Sequence, residues 1–286
     1  MSRRRVITRF APSPTGLLHL GHAFSAMTAF DMARAHGGCF VLRIEDIDRS
    51  RSRVKWEREI ERDLAWLGLS WPRPVVRQSD RAPAYREALL RLAERGLTYA
   101  CICNRSDIRE AAAAPQEGAP MLGPDGIVYP GTCKHADHPY EGSAIRLHMD
   151  RALALVPEIA FEETGAAGTG RIALDAEHML RMIGDVVLAR RDMGTSYHLS
   201  VVLDDSAQSI SHVVRGLDLF DATPIHVLLQ SLLGLRSPIY HHHRLIRDDT
   251  GKRLAKRDDA RSIAAYRDTG ATPADIRRLV GLPSAS

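Results

Sequence analysis

The sequence predicts an α/β protein: a Rossmann-type parallel sheet with helices on both faces, interrupted by a loop-rich insertion. Two observations near the start predict the sheet. The apolar run at residues 6–10 reads as a buried strand that breaks on Pro12, Pro14 and Gly16. Residues 19–36 then read as a helix ending at Gly37-Gly38, before a second apolar run, Cys39-Phe40-Val41-Leu42-Arg43-Ile44. Strand, helix and strand in that order form a βαβ unit, which implies parallel pairing and a right-handed crossover. The third observation is length. A chain of 286 residues, 44% apolar and 26% charged, can bury one sizeable core with a small insertion.

The remaining elements follow in order. Helices are expected at 52–68 and 80–96. From residue 98 to about 173 the pattern changes to cysteines, an alanine run and stretches rich in Pro and Gly, including 165–170, which reads as the insertion. Strand character returns at 183–188, 200–203 and 210–214, with an apolar helix at 223–234, and these read as the second half of the sheet. A basic, polar tail begins near 241 and ends in a short helix at 273–281. The expected division is therefore a catalytic core at 1–98 and 174–240, an insertion at 99–173 and a tail at 241–286. No internal repeat is present.

Composition excludes some classes and permits others. No run of about 18 apolar residues occurs, so no membrane-spanning helix is expected, and the basic N-terminus lacks the apolar stretch of a signal peptide. The expected location is cytoplasmic and the expected state a monomer. A net charge of +4 and a pI near 9.0 permit an RNA partner without requiring one. Only Lys55, Lys134, Lys252 and Lys256 are lysines, and two of the four fall within Gly251-Lys252-Arg253-Leu254-Ala255-Lys256. In an arginine-rich chain that placement points to a compact, mobile charge. Cys101, Cys103 and Cys133 suggest metal binding or free thiols rather than disulfides in a chain of this kind, and Cys39, in a strand, reads as a core residue. His241-His242-His243 is read as a strand end with alternating exposure.

The loop Ala11-Pro12-Ser13-Pro14-Thr15-Gly16 joins the first strand to a helix whose start contains His19-Leu20-Gly21-His22. Ligands of open parallel sheets lie at strand C-termini, where helix N-termini offer unpaired N–H groups to anions. His19 and His22 are three apart, so both imidazoles share one helix face and can donate to phosphate oxygens as charge builds. Gly21 between them allows close approach of an adenine ring.

Arg9-Phe10-Ala11-Pro12-Ser13-Pro14-Thr15-Gly16 followed by His19-Leu20-Gly21-His22 closely resembles the HIGH region of glutamyl- and glutaminyl-tRNA synthetases, which are class I enzymes. Arg43-Ile44-Glu45-Asp46-Ile47-Asp48 resembles the next block of that family, and Asp204-Asp205 with His212-Val213-Val214-Arg215-Gly216-Leu217-Asp218 resembles a third. Arg253-Leu254-Ala255-Lys256-Arg257 stands where the KMSKS loop belongs. It departs from the motif at Arg253, which replaces a lysine, and at Ala255, which replaces a serine. The resemblance implies activation of L-glutamate by ATP with Mg2+, with Thr15, His19, Gly21, His22 and Lys256 handling ATP.

Glutamate carries two carboxylates and one ammonium, so its pocket needs cations and one anion. Arg9 and Arg215, each at the end of a strand, suit the carboxylates through their guanidinium forks, and Glu45 suits the ammonium. The family pattern implies these roles and adds Phe10, Ala11, Pro12, Ser13 and Tyr197 as pocket contacts. Asp46 and Asp48 are read as structural or loop-capping residues. For the three cysteines the resemblance supplies Tyr129 as fourth ligand of one structural Zn2+. On general chemical grounds His135 and His138 are rivals for that place, since imidazole is the commoner zinc ligand.

Glutamyl-tRNA synthetases continue far beyond their KMSKS loop into helical domains that read the anticodon, and here only about 30 residues follow. This pattern resembles the glutamyl-Q tRNA(Asp) synthetases, a family of stand-alone catalytic cores, and implies transfer of glutamate to the queuosine base of tRNA(Asp). Two other readings stay open: a shortened glutamyl- or glutaminyl-tRNA synthetase charging a 3′ end, and a non-catalytic RNA-binding relative.

Overall fold

A computed structural model describes residues 5–113, 121–247 and 261–284. The segment 253–257, with Lys256, lies outside the described residues. The chain begins with β1 (Ile7–Phe10), α1 (Leu20–Ala35), β2 (Cys39–Ile44), α2 (Val54–Trp66), β3 (Val76–Arg77) and α3 (Ala82–Glu94). It continues through β4 (Thr98–Cys101), α4 (Arg105–Ala113), β5 (Leu122–Gly123), β6 (Gly126–Ile127), β7 (Ala144–Leu147) and α5 (Met149–Ala154). Next come β8 (Ala160–Glu163), β9 (Gly170–Ala173), α6 (Ala176–His178), β10 (Val187–Ala189), α7 (Tyr197–Ala207), β11 (His212–Gly216), α8 (Thr223–Leu232) and β12 (Ile239–His243). Helices α9 (Ile263–Asp268) and α10 (Pro273–Leu279) close the described chain.

β1 pairs in parallel with β2, and β2 with β3. On the other side of β1 lies β11, joined to it where Ser211 N–H donates to the Ile7 carbonyl (2.9 Å) and Ile7 N–H to Ser211 Oγ (2.7 Å). β11 pairs in parallel with β12, and β12 with β8. From the β1–β11 boundary chain order runs outward through β2 and β3 on one side and through β12 on the other. That reversal is a topological switch point, where open parallel sheets bind ligands. The two sides of the sheet carry separate apolar cores. One is built on Ala23, Met27, Ile44, Leu64 and Val214, the other on Leu188, Val202, Val213, Leu228 and Tyr240.

Two sequence expectations are corrected here. Residues 200–203 form no strand but the middle of α7, where Ser196 caps the helix by accepting from Leu199 N–H. The helix is buried on nearly every side, from His198 through Val202 and again at Asp204 and Asp205, so it shows no polar face from which a helical period could be read. Residues 183–188 begin in a π-helical turn, and the strand that follows, β10, pairs antiparallel with β7 rather than joining the parallel sheet. The segment 99–173 is also more regular than its composition suggests. β4 and β7 pair antiparallel, and β8 is hydrogen-bonded into the parallel sheet beside β12. Gly165 makes that last packing possible, because a Cβ there would stand 2.3 Å from the His242 carbonyl oxygen.

Candidate functional site

A cavity of 460 Å³ opens at the carboxyl ends of β1, β2 and β11. It gathers Arg9, Phe10, Ala11, Pro12, Ser13, Thr15, His19, Gly21, His22, Glu45, Tyr197 and Arg215, so the predicted phosphate and amino-acid residues share one space. Leu20 is the exception within its motif. It packs instead with Phe24, Ile246 and Val280.

His19 is the N-cap of α1 rather than a first-turn residue. Its Nδ1 accepts from Gly21 N–H (3.1 Å), and His22 Nδ1 accepts from His19 N–H (3.2 Å). Each neutral ring therefore carries its proton on Nε2, the tautomer that can donate to an anion. The ring centroids are 3.8 Å apart, and α1 has no acidic residue in its first turn to offset its positive end. A Cβ at Gly21 would meet the His19 ring at 3.0 Å, so glycine is needed first for the imidazole to fold back over the helix start.

Beneath the cavity lies a buried charge cluster. Arg43, fully buried, donates to Asp205 Oδ1 (2.8 Å), Gln208 Oε1 (2.9 Å) and Glu45 Oε1 (3.2 Å). Arg9 donates from Nε to Asp205 Oδ1 (3.1 Å) and from Nη1 to the Val214 carbonyl (3.1 Å). Burial opposes the charge on Asp205, but Arg9 and Arg43 overcome it and hold the carboxyl below its usual range. For Glu45 the balance is reversed. Burial pushes its carboxyl up, and Arg43 and Arg9 only partly offset this. A buried carboxylate left in that condition gains from a cation in the cavity, such as a substrate ammonium.

Arg215 is held differently. Its three guanidinium nitrogens donate to His242 Nε2 (3.0 Å), His226 Nδ1 (3.0 Å), the Leu219 carbonyl (3.2 Å) and Thr223 Oγ1 (2.7 Å). Every acceptor is an uncharged atom, and among the described residues no carboxylate pairs with it. His242 follows from strand register, since it is the parallel partner of Arg215 across β11 and β12. It is fully buried, and His243 nearly so, which corrects the expectation of alternating exposure at residues 241–243. His242 Nδ1 in turn bonds Glu163 Oε2 at 2.5 Å.

In the insertion, the Sγ atoms of Cys101, Cys103 and Cys133 lie within 4.8 Å of one another. The Tyr129 hydroxyl is 3.4 Å from Cys101 Sγ and 3.5 Å from Cys103 Sγ. Tetrahedral zinc with ordinary bond lengths sets sulfur–oxygen edges of about 3.5 Å and sulfur–sulfur edges of about 3.8 Å. The donor set fits zinc. Neither His135 nor His138 brings a ring nitrogen into the group. The Arg146 guanidinium lies 3.7 Å over the Tyr129 ring, a cation–π contact that holds the ring beside the three thiols.

Residues 5–284 match the family of class I tRNA synthetases for Glu and Gln, catalytic domain. A glutamyl-Q tRNA(Asp) synthetase of Rhodobacter capsulatus is 64% identical over 97% of this chain and the whole of its own length. The chain belongs to the glutamyl-Q tRNA(Asp) synthetases. A second member, from Nocardia farcinica, is 40% identical over 96% of this chain and 85% of its own. Among solved structures, a glutamate tRNA ligase from Elizabethkingia meningosepticum superposes with a TM-score of 0.74 at 26% identity, over 97% of this chain. The chain spans 60% of the length of that ligase. As a member of the family the protein is a ligase with the class I synthetase catalytic fold, and class I synthetases use ATP with Mg2+. Among the described residues no helix is long and apolar enough to cross a membrane.

Asp205, Glu163, His198, His226 and His242 take part in the site, and sequence reasoning gave none of them a role. Asp46 and Asp48 do cap loops, accepting from Ser79 N–H (2.8 Å) and from Ser50 and Arg51. The buried pair of His242 and Glu163 has a consequence for stability. Burial, and then the charge of Arg215, pull the His242 imidazole down to about 4, against the upward pull of Glu163. An unfolded histidine titrates near 6.5, so the contribution is complete above pH ~6.5 and is lost as pH falls towards 4. The urea midpoint should fall across that window by the equivalent of about 3 kcal/mol, and His242→Gln should flatten the slope. A wild-type midpoint constant from pH 6.5 to 4 contradicts the assignment.

Proposed function

We propose that the protein activates L-glutamate as glutamyl-adenylate and transfers it to the queuosine base at the wobble position of tRNA(Asp). The observation that carries the glutamate half is Arg215, a guanidinium fixed at the cavity by uncharged acceptors, so that its charge remains for an anionic substrate. Arg215 and Arg9 hold the carboxylates, with Arg9 using donors beyond those it spends on Asp205 and Val214. Glu45 takes the ammonium, and Ser13 and Tyr197 complete the pocket with the backbone of residues 10–12.

In the first step an oxygen of the glutamate α-carboxylate attacks the α-phosphorus of ATP, and the bond to pyrophosphate breaks. His19 and His22 donate from Nε2 to the phosphate oxygens as charge accumulates, with Thr15 and the first turn of α1 beside them. Lys256 supplies a cation to the leaving pyrophosphate. Described residues on either side of its segment reach the site, since Ile246 lines the cavity and Ser262 is bridged to His19. In the second step a hydroxyl of the cyclopentenediol ring attacks the acyl carbon, an ester forms, its proton is lost to solvent and AMP leaves. The chemistry matches ordinary aminoacylation, and only the RNA end presented differs. The name shared by the Rhodobacter and Nocardia relatives supports the queuosine acceptor. One structural Zn2+ held by Cys101, Cys103, Tyr129 and Cys133 stabilises the insertion and takes no part in the chemistry.

The test of the first step is glutamate-dependent ATP–pyrophosphate exchange without tRNA. Exchange is expected with glutamate alone. A strict requirement for tRNA points to an ordinary glutamyl-tRNA synthetase, and no exchange under any condition points to a non-catalytic relative.

A further inference from the structure

The donors on Arg215 dictate every proton in the histidines behind it. Arginine has no acceptor atom, so His226 Nδ1 accepts and its proton sits on Nε2. His226 Nε2 then donates to His198 Nδ1 at 3.0 Å, which places the His198 proton on Nε2. That proton meets the Asp125 carboxylate, at 3.0 and 2.9 Å from its two oxygens. The chain of bonds is thus unbroken from Asp125 through His198 and His226 to Arg215. His198 and His226 are both buried, and burial, reinforced by the charges of Arg215 and Arg9, keeps the His226 ring neutral.

Asp125 belongs to another part of the fold. It sits in the turn of the β5–β6 hairpin within the insertion, between the paired residues Gly123 and Gly126. Tyr129, four residues on, ties the same hairpin to the cysteine cluster. We propose that Asp125 is a positioning residue for the amino-acid pocket, acting through His198 and His226 to hold the Arg215 guanidinium. The proposal rests on reading the cavity as the glutamate site.

The physical logic is one of distance. A carboxylate bonded directly to Arg215 would fix it but would also neutralise it for substrate. Two neutral imidazoles between Asp125 and Arg215 transmit orientation while keeping the negative charge out of the pocket. Glu163 does the same through one imidazole, His242. Losing Asp125 leaves the His198 N–H without its acceptor, and the two rings lose the anchor that sets their planes.

Asp125→Ala should raise the KM for glutamate about tenfold in pyrophosphate exchange, with the KM for ATP and kcat within about twofold of wild type. Asp125→Asn, whose amide oxygen still accepts from His198, should restore the KM to within about threefold. An unchanged glutamate KM in the alanine variant overturns the proposal, as does a parallel loss of kcat and both KM values, which a merely docked hairpin would give. Nitrogen-15 spectra of histidine-labelled protein test the relay without substrate. His198 and His226 should both appear at pH 7 as neutral rings protonated on Nε2, with the His198 and His226 signals shifted in Asp125→Ala. His226 protonated on Nδ1, or signals unmoved in the variant, overturns the relay. If wild type shows no glutamate-dependent exchange, the glutamate reading falls, and the spectra alone decide the relay.

Discussion

Replacing Arg215 with alanine should lower glutamate-dependent pyrophosphate exchange by about 10²–10³-fold, the range expected when one partner of a buried, hydrogen-bonded charge pair is removed. The residue is nearly fully buried at the cavity and its charge is unspent on any described carboxylate. The variant also strips a donor from His226, His242, Thr223 and the Leu219 carbonyl, so some loss of stability accompanies the loss of activity. Arg215→Lys separates the two effects. It keeps the charge, but a lysine ammonium has three donors and no planar fork to meet four acceptors. It should fold with a urea midpoint near wild type and still lose most exchange activity. Exchange unchanged in Arg215→Ala contradicts the pocket assignment.

Arg43→Met should cost about 3–5 kcal/mol of folding stability, a large share of what a domain possesses. The side chain is fully buried and bonds Asp205 and Glu45, with Asp204 at 3.9 Å. Methionine replaces the apolar stem but stops short of the guanidinium, so it supplies neither charge nor donors there. Asp205 keeps Arg9, and Asp204 keeps Arg81, Gln78 and Tyr85, but among the described residues Glu45 keeps no hydrogen-bonded cation. The check is urea unfolding, where the midpoint should drop with an unchanged slope. Asp48→Asn gives the contrast. Its partner Arg51 is solvent-exposed, and the change should stay within about 1 kcal/mol. Equal effects from the two variants would contradict the picture of a buried, mutually dependent cluster.

The legible parts of the chain are those whose signals are local. The Pro/Gly loop after a short apolar run marks the end of β1, and the Gly37-Gly38 pair marks the end of α1. The predicted second strand coincides with β2. The cavity-lining residues lie in motifs at strand ends, where local sequence marks them. What was not legible depends on contacts distant in sequence. Arg9 and Asp205 are 196 residues apart, and His242 and Glu163 are 79 apart. No period or spacing along the chain reports such pairs. The His241–His243 run shows the difficulty. Alternation predicted buried and exposed rings in turn, yet His242 and His243 are both buried, and His242 is the partner of Arg215, because the neighbouring strand sets what a buried position must provide. In α7, the same burial on all sides that hid the helical period also placed Asp205 under the cavity.

We propose that glutamate ends on the modified base of an anticodon rather than on a 3′ end. Incubation of the protein with ATP, labelled glutamate and two tRNA(Asp) preparations, one containing queuosine and one lacking it, tests this directly. Label is expected only on the queuosine-containing RNA, and there on the anticodon fragment rather than on the 3′-terminal fragment after ribonuclease digestion. Equal labelling of both preparations contradicts the proposal.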